Sequence, residues 1–208
     1  MSVKVKICGI TSLADAIACV EAGADALGFM FYKRSPRYIQ PTVAAEIARQ
    51  LPEHIIRVGV FVNAQVASVK AVLAVCRLDL LQFHGDEPPD YCLQFNMRTM
   101  KAFRMRDTDS LRLLPAYETD FWLLDAYVPA LRGGTGETFN WQLAVEAKKF
   151  GRAIFLAGGL THENVAEAVR LVQPYGVDVS TGVESAPGKK DHAKVRAFVE
   201  AAKGAVAR

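Results

Sequence analysis

Two kinds of hydrophobic pattern alternate along this chain. Short runs rich in β-branched and aromatic residues are typical of buried strands, and the longer stretches between them show the three-to-four-residue spacing of amphipathic helices. The pattern predicts strands that begin near eight positions: Val3, Asp25, Ile55, Leu78, Arg98, Phe121, Ala153 and Val177.

Local start and stop signals support the helices between these strands. Thr11-Ser12 precedes the first helical stretch, and Gly23 follows it at a position where glycine commonly ends a helix. Pro41 suits the first turn of the second helix. Thr161 and Asp191 are predicted to cap the last two helices.

The repeated strand–helix order predicts an α/β fold with a parallel sheet and right-handed crossovers. Eight such units in about 200 residues favour a single (β/α)8 TIM barrel over an open sheet of the flavodoxin or Rossmann kind. The first strand–helix turn, Cys8-Gly9-Ile10-Thr11, also lacks the G-x-G-x-x-G motif of dinucleotide-binding sheets. No linker interrupts the pattern, so residues 1–208 are predicted to form one catalytic domain.

Composition narrows the class of partner. The net charge is +3 and the pI is about 8.7, which suits an anionic small molecule but not the dense basic surface of a nucleic-acid binder. The four cysteines are widely spaced and form no zinc motif, which favours a reducing cytoplasm and predicts no metal site. No apolar run is long enough to cross a membrane, so we expect no membrane partner.

Glycine-rich segments follow three of the predicted strands. They are Gly133-Gly134-Thr135-Gly136 after strand 6, Gly158-Gly159 after strand 7, and Ser180-Thr181-Gly182 after strand 8. The absence of side chains lets backbone N–H groups approach an anion, and (β/α)8 barrels commonly bind phosphate near strands 7 and 8. The sequence therefore predicts a barrel of the phosphate-binding type, with a phosphate on backbone amides near Gly159 and Thr181-Gly182.

Reactive side chains stand at other strand ends. Cys8 ends strand 1 and could act as a base if nearby positive charge lowers its pKa. Asp125 ends the apolar run of strand 6, where a carboxyl in an apolar cleft would keep its proton and could serve as an acid. Arg37 could present its guanidinium fork to a substrate carboxylate, whereas Lys33 and Arg34 are expected to be solvated.

Strand 4 places His84 on the same face as Gln82, so this face is polar. His84 is either a ligand contact or a structural histidine, and the sequence does not separate the two.

Strand parity predicts a buried ion pair below Cys8. Side chains alternate along a strand, so Lys6 shares the face of Cys8, and Asp178 shares the face of Ser180 on strand 8. Strands 1 and 8 become neighbours when the barrel closes. Because a lysine in a packed interior needs an opposite charge, Asp178 is the predicted partner of Lys6.

The chain resembles the phosphoribosylanthranilate isomerase family. The resemblance runs through VKICGIT at 5–11, DALGFMF and SPRYI at 25–39, LLQFHGDE at 80–87, FWLLDA at 121–126, GGTGETFNW at 133–141, LAGGL at 156–160 and DVSTGVESAPGKKD at 178–191. It therefore covers the chain from end to end. Glu137 and Asn140 depart from the lysine and aspartate expected there, and neither is a catalytic position in the family.

The resemblance implies an Amadori rearrangement of N-(5′-phosphoribosyl)anthranilate to 1-(2-carboxyphenylamino)-1-deoxyribulose 5-phosphate in tryptophan biosynthesis, with no metal or organic cofactor. It implies Cys8 as the base, Asp125 as the acid and Arg37 as the residue facing the anthranilate carboxylate. His84, Gly134, Gly158, Gly159, Ser180, Thr181 and Gly182 are the further residues expected at the substrate. The partner is then a phosphorylated small molecule, and the protein is expected to be a monomer or a homodimer.

Two alternatives remain at this point. A related barrel enzyme, such as an indole-glycerol-phosphate synthase or a sugar-phosphate epimerase, would need other residues at the strand ends: a lysine and a glutamate, or a set of metal ligands. A sugar-phosphate binder without catalysis would use the glycines but would not need Cys8.

Overall fold

The structure is a computed structural model that describes residues 3–126 and 141–205. Parallel strands form a closed barrel in the order β1 to β8, with β8 paired back to β1. The strands are β1 (Lys4–Cys8), β2 (Ala26–Met30), β3 (Ile56–Phe61), β4 (Leu80–Phe83), β5 (Thr99–Met105), β6 (Phe121–Ala126), β7 (Ala153–Ala157) and β8 (Gly176–Val179). The barrel confirms the predicted fold class.

Helices follow the strands and pack around the barrel. They are α1 (Leu13–Glu21), α2 (Pro41–Gln50), α3 (Val66–Val75), α4 (Pro89–Cys92), α5 (Trp141–Lys148), α6 (Val165–Val172) and α7 (His192–Gly204). After β5 a 3₁₀ helix, Thr108–Ala116, takes the place of an α-helix. Within the described ranges, no helix has the length and apolar character needed to cross a membrane.

Most of the predicted helix ends are confirmed. The Ser12 side chain accepts a hydrogen bond from the Asp15 backbone N–H, and Asp191 accepts two at the start of α7. Pro41 is the first residue of α2. Thr161 caps the turn that leads into α6: its hydroxyl accepts a hydrogen bond from the Glu163 N–H, and the Asn164 side chain accepts one from the Thr161 N–H. The regular helix begins later than the sequence predicts, at Val165.

Two apolar layers hold the barrel together. One fills the barrel interior with Val58, Val60, Leu80, Met100, Leu123 and Phe155, among others. The larger layer lies between the sheet and the helices. Strand alternation divides the side chains between these layers, so the face of each strand residue decides which environment it occupies.

Closure between β1 and β8 follows the predicted parity. The register of this strand pair places Lys6 opposite Asp178, and the two side chains form a buried ion pair with a 2.7 Å distance between Lys6 Nζ and Asp178 Oδ1. The ion pair confirms the prediction.

Three short elements, a 3₁₀ helix and two strands, lie between β8 and α7. A short 3₁₀ helix, Thr181–Val183, is followed by an antiparallel pair, β9 (Glu184–Ala186) and β10 (Lys189–Lys190). The segment 181–190 ends at the barrel mouth, where Lys190 contacts the end of β1, and α7 follows it.

Candidate active site

A cavity of about 410 Å³ opens at the carboxyl ends of the strands. Nine of the predicted site residues line it: Cys8, Arg37, His84, Asp125, Gly158, Gly159, Ser180, Thr181 and Gly182. Gly134 and the rest of the glycine-rich segment 133–136 lie outside the described residues. The fold therefore brings together side chains that are distant in sequence, as the carboxyl-end location of barrel sites requires.

Cys8 lies directly above the Lys6–Asp178 ion pair. A methyl group added at Gly28 on the neighbouring strand would lie 2.8 Å from the Cys8 Sγ and 3.2 Å from Lys6 Nζ. The thiol and the ammonium therefore meet over the bare backbone of β2, and a side chain at position 28 would push them apart.

Burial and neighbouring charges act in opposite directions on the Cys8 thiol. Burial raises the pKa of the Cys8 thiol above its ordinary value, and the Lys6 ammonium opposes this shift only in part. The nearby Asp178 carboxylate also raises the pKa, because it disfavours a second negative charge. The condition set for Cys8 as a base is therefore met only in part: Lys6 lowers the pKa, but desolvation has the larger effect.

Asp125 extends from the end of β6 and contacts His84 from β4. The distance between His84 Nε2 and Asp125 Oδ2 is 3.1 Å, and Gln82 Nε2 lies 2.9 Å from the other ring nitrogen of His84. The Asp125 side chain is 30% exposed, so its surroundings are polar and partly wet. This corrects the expected apolar cleft around Asp125.

Arg37 is held in place by a carboxylate that the sequence analysis did not identify. Its Nε and Nη2 atoms donate to Glu184, at 2.9 Å to Oε1 and 2.6 Å to Oε2, and Nη2 also donates to the Thr181 hydroxyl at 3.1 Å. The guanidinium fork therefore faces Glu184, and among the described residues Nη1 is the guanidinium nitrogen without a hydrogen-bond partner. Lys33 and Arg34 are exposed, as predicted.

Glu184 joins Arg37 to a buried lysine. Lys190 Nζ lies 2.8 Å from Glu184 Oε1 and 2.6 Å from the Cys8 backbone carbonyl. These two cations lower the pKa of Glu184 against the raising effect of its burial, and Glu184 raises the pKa of Arg37. The cluster ties the segment after β8 to the end of β1.

Glycines allow the segments after β7 and β8 to turn sharply and to approach each other closely. Gly158 and Gly159 both have positive φ angles, 86° and 65°, which L side chains rarely adopt. At Gly182, a Cβ would collide with the Leu160 carbonyl oxygen, so only glycine lets these two segments approach so closely. Successive N–H groups in such turns can form a concave nest for an anion.

Sequence reasoning missed Glu184 and Lys190. Both lie in the segment between β8 and α7, where the sequence has no periodic pattern from which a buried charged side chain could be predicted. One signal was present: Arg37 and Glu184 belong to loops at the same end of a barrel, and an arginine held away from solvent requires a carboxylate.

Comparisons with known proteins show the family to which the chain belongs. A model of the family described as "N-(5'phosphoribosyl)anthranilate (PRA) isomerase" matches residues 5–201. The chain belongs to this family. An N-(5′-phosphoribosyl)anthranilate isomerase of Trichlorobacter lovleyi is 57% identical over 204 residues, which is 98% of this chain and 100% of the relative. One of Geotalea uraniireducens is 58% identical over 201 residues, 97% of this chain and 98% of the relative.

Solved structures of the isomerase family share the fold. The phosphoribosyl anthranilate isomerase of Thermotoga maritima superposes with a TM-score of 0.91 at 43% identity, covering 97% of this chain and 99% of that one. Another isomerase structure, in complex with reduced 1-(o-carboxyphenylamino)-1-deoxyribulose 5-phosphate, has a TM-score of 0.88 at 41% identity, with the same coverage. A third solved structure, of monomers generated from the dimeric isomerase of Thermotoga maritima, has a TM-score of 0.87 at 40% identity.

Proposed function

We propose that the cavity catalyses the Amadori rearrangement of N-(5′-phosphoribosyl)anthranilate, with Asp125 as general acid and Cys8 as general base. The observation that carries the proposal is the placement of an acid and a thiol, from β6 and β1, on the wall of one cavity whose other walls suit a carboxylate and a phosphate. The family membership supports the choice of substrate.

The reaction begins with ring opening. Asp125 donates its proton to the furanose ring oxygen, the bond between C1′ and that oxygen breaks, and a protonated Schiff base remains. Cys8, as the thiolate, then takes the proton from C2′, and the electron pair moves to give an enolamine. Loss of the hydroxyl proton and protonation at C1′ yield the ketone, so the rearrangement consumes no other reactant.

The two ends of the substrate are proposed to bind at different walls. The phosphate is placed on the backbone N–H groups near Gly159 and Thr181-Gly182, because these residues line the cavity and glycine lets backbone amides come close to an anion. Ser180 lines the cavity beside this segment. The anthranilate carboxylate is placed at Nη1 of Arg37, whose other donors bind Glu184 and Thr181. His84 contributes through its contact with Asp125.

The proton on the thiol has to leave before Cys8 can act. Lys6 and Lys190 both favour the thiolate, although burial outweighs them in the resting protein. We propose that the positive charge of Lys6 stabilises the thiolate when the substrate is bound. The Lys6–Asp178 pair is then part of the chemistry as well as of the core.

We further propose that the catalytic domain extends over residues 1–208, that it acts as a monomer or homodimer, and that it works in the cytoplasm without a cofactor. The presence of four free cysteines supports a reducing compartment.

A fluorescence assay tests the activity directly. Purified protein given freshly made N-(5′-phosphoribosyl)anthranilate should consume it, whereas a sugar-phosphate binder without catalysis would not. Cys8→Ser and Asp125→Asn should each lower kcat by about 10²–10⁴-fold, the usual contribution of a positioned proton-transfer group. Cys76→Ser, which changes a buried thiol at the C-terminus of α3, is the matched control and should retain activity. Normal turnover by Cys8→Ser would refute the assignment.

A further inference from the structure

A chain of three polar side chains leads from the barrel interior to the proposed acid. Gln82 is fully buried, its amide nitrogen lies 2.9 Å from His84 Nδ1, and His84 Nε2 lies 3.1 Å from Asp125 Oδ2. The other end of the Gln82 amide, Oε1, is buried without a hydrogen-bond partner in the described residues. Buried polar atoms are nearly always satisfied, so this one requires an explanation.

The amide has His84 as its one hydrogen-bond partner among the described residues. A half-turn about the last side-chain bond of Gln82 exchanges the amide nitrogen and oxygen, and either atom can bond to the histidine ring. In one orientation the amide N–H donates to Nδ1; in the other, Oε1 accepts from an Nδ1–H. The same number of hydrogen bonds is made in both orientations.

Each orientation fits one protonation state of Asp125. When Asp125 is a carboxylate, His84 must donate from Nε2, so Nδ1 is bare and accepts from the Gln82 amide. When Asp125 holds a proton, it can donate to a bare Nε2, so Nδ1 carries the ring proton and donates to Gln82 Oε1. A general acid has to pass through both states in every turnover.

We propose that Gln82 is a positioning residue whose amide rotates with the tautomer of His84, so that the same histidine supports both forms of Asp125. This inference rests on the proposed function of Asp125. After Asp125 gives its proton to the substrate, the ring exchanges the Nδ1 proton for one at Nε2. Water supplies and accepts these protons, since the His84 side chain is 25% exposed. Asp125 then takes one proton from water, and the proton taken by Cys8 returns to water.

The charged groups around this relay do not replace its hydrogen bonds. Cys8 and Asp178 face the same cavity from β1 and β8, and Arg37 faces it from the loop after β2. Asp178 is paired with Lys6, and Arg37 with Glu184. Lys101 of β5 donates to the carbonyls of Phe83 and Gly85, which flank His84 in the chain, from the outer face of the sheet. None of these described groups forms a hydrogen bond or an ion pair with the His84 ring or the Gln82 amide.

Nitrogen NMR of the ring tests the relay without any activity measurement. Protein labelled with ¹⁵N-histidine gives separate Nδ1 and Nε2 shifts for each tautomer, and the His84 signals among the four histidines are assigned from their absence in His84→Asn. In substrate-free protein with an ionised Asp125, the proton should reside on Nε2. In Gln82→Glu, whose carboxylate can only accept, both ring nitrogens should be protonated. An Nδ1–H tautomer in the wild type, or an unchanged ring in Gln82→Glu, would overturn the proposal.

Kinetics supply the second test. Gln82→Met has nearly the same shape but neither donor nor acceptor, and it should lower kcat about tenfold, the effect of one lost hydrogen bond in the acid's support. Its KM should stay within about twofold, because Gln82 Oε1 is not open to the cavity. Met100→Leu, at the position paired with Gln82 on β5, is the matched control and should leave kcat and the His84 ring unchanged.

The two readouts separate the relay from the proposed function. If the wild type converts no substrate, the proposed function fails while the ring spectra still report on the relay. If the wild type is active and Gln82→Met retains its kcat within about twofold, the relay fails alone. Should Gln82→Glu not fold, the wild-type spectrum and Gln82→Met still decide the matter.

Discussion

Two buried lysine–carboxylate pairs differ in which face of the barrel sheet they occupy. Lys6 and Asp178 meet inside the barrel at 2.7 Å, and Lys101 and Glu87 meet at 3.1 Å on the outer face, under the loop after β4. All four residues are at least nine-tenths buried. The sequence separates these pairs only by strand parity: Lys6 shares its face with Cys8, whereas Lys101 alternates with the interior residue Met100.

The partners of the outer pair are mainly backbone groups. Lys101 also donates to the carbonyls of Phe83, Gly85 and Ala102, and Glu87 accepts from the backbone N–H groups of Asn63 and Gly85. Because each charge is satisfied several times, this pair fastens the loop after β4 to the barrel. Its role is structural.

The inner pair has fewer partners and a reactive neighbour. Lys6 donates to Asp178, and the two charges act in opposite directions on the pKa of Cys8, with Lys6 lowering it and Asp178 raising it. The difference between the pairs shows that burial of a charge does not by itself reveal its use. A pair surrounded by backbone groups stabilises, whereas a pair left beside a thiol is available for chemistry.

The largest expected effect separates the two pairs directly. Asp178→Ala removes the partner of a fully buried ammonium and should lower the free energy of unfolding by about 3–5 kcal/mol. It should also lower kcat, because the position of Lys6 beside Cys8 depends on Asp178. Chemical denaturation and steady-state kinetics measure the two losses.

Glu87→Ala is the matched variant on the outer face. It should lose a comparable amount of stability, about 3–5 kcal/mol, because Lys101 is left without its carboxylate. Its kcat should stay within about threefold of the wild type, because the pair lies outside the cavity. An equal loss of kcat in both variants would end the distinction between a structural and a chemical pair.

A smaller effect is expected for the third cluster, in which Arg37 and Lys190 share Glu184. Arg37→Ala should raise KM by the equivalent of about 1.5–3 kcal/mol, the cost of a lost charge-assisted hydrogen bond. Its kcat should change less, because Arg37 is proposed to bind the anthranilate end. Arg34→Ala, in the same loop but exposed, should leave KM unchanged. A KM for Arg37→Ala equal to that of the wild type would show that Arg37 only holds Glu184.

The smallest effect concerns pH. The pKa of Glu184 is lowered in the folded protein by its hydrogen bonds to Arg37 and Lys190, which outweigh its burial. A carboxyl with a lowered pKa contributes stability above its unfolded pKa of about 4.3, and this contribution disappears as the pH falls through the folded value. Glu184→Gln should therefore lose stability at neutral pH but approach the wild type in acid.

Melting temperatures of the wild type and Glu184→Gln between pH 7 and the acid limit of folding would measure this difference. Glu53→Gln, an exposed glutamate, should follow the wild-type curve throughout. If the gap between Glu184→Gln and the wild type did not narrow in acid, the carboxylate would not be the source of the effect.

Much of the candidate site followed from strand positions alone. In a parallel barrel the carboxyl ends of all strands lie at the same end of the barrel. The sequence alone therefore predicts that Cys8, Asp125 and the glycines after β7 and β8 line one cavity. The ion pair of Lys6 and Asp178 followed from alternation plus closure. Thr161 caps the turn before α6 as predicted, but the regular helix begins only at Val165, a boundary that the helical periodicity does not specify.

The sequence by itself determined the barrel, the end of the barrel at which the candidate site lies, and the family, because periodicity and motifs are local properties of the sequence. Only the tertiary structure decided how charges are balanced at that face. Glu184 binds the guanidinium fork of Arg37, burial has a larger effect than Lys6 on the pKa of Cys8, and Gln82 is linked to Asp125 through His84. These outcomes depend on distances between side chains from different strands and on how much water remains between them, and a linear pattern contains neither quantity.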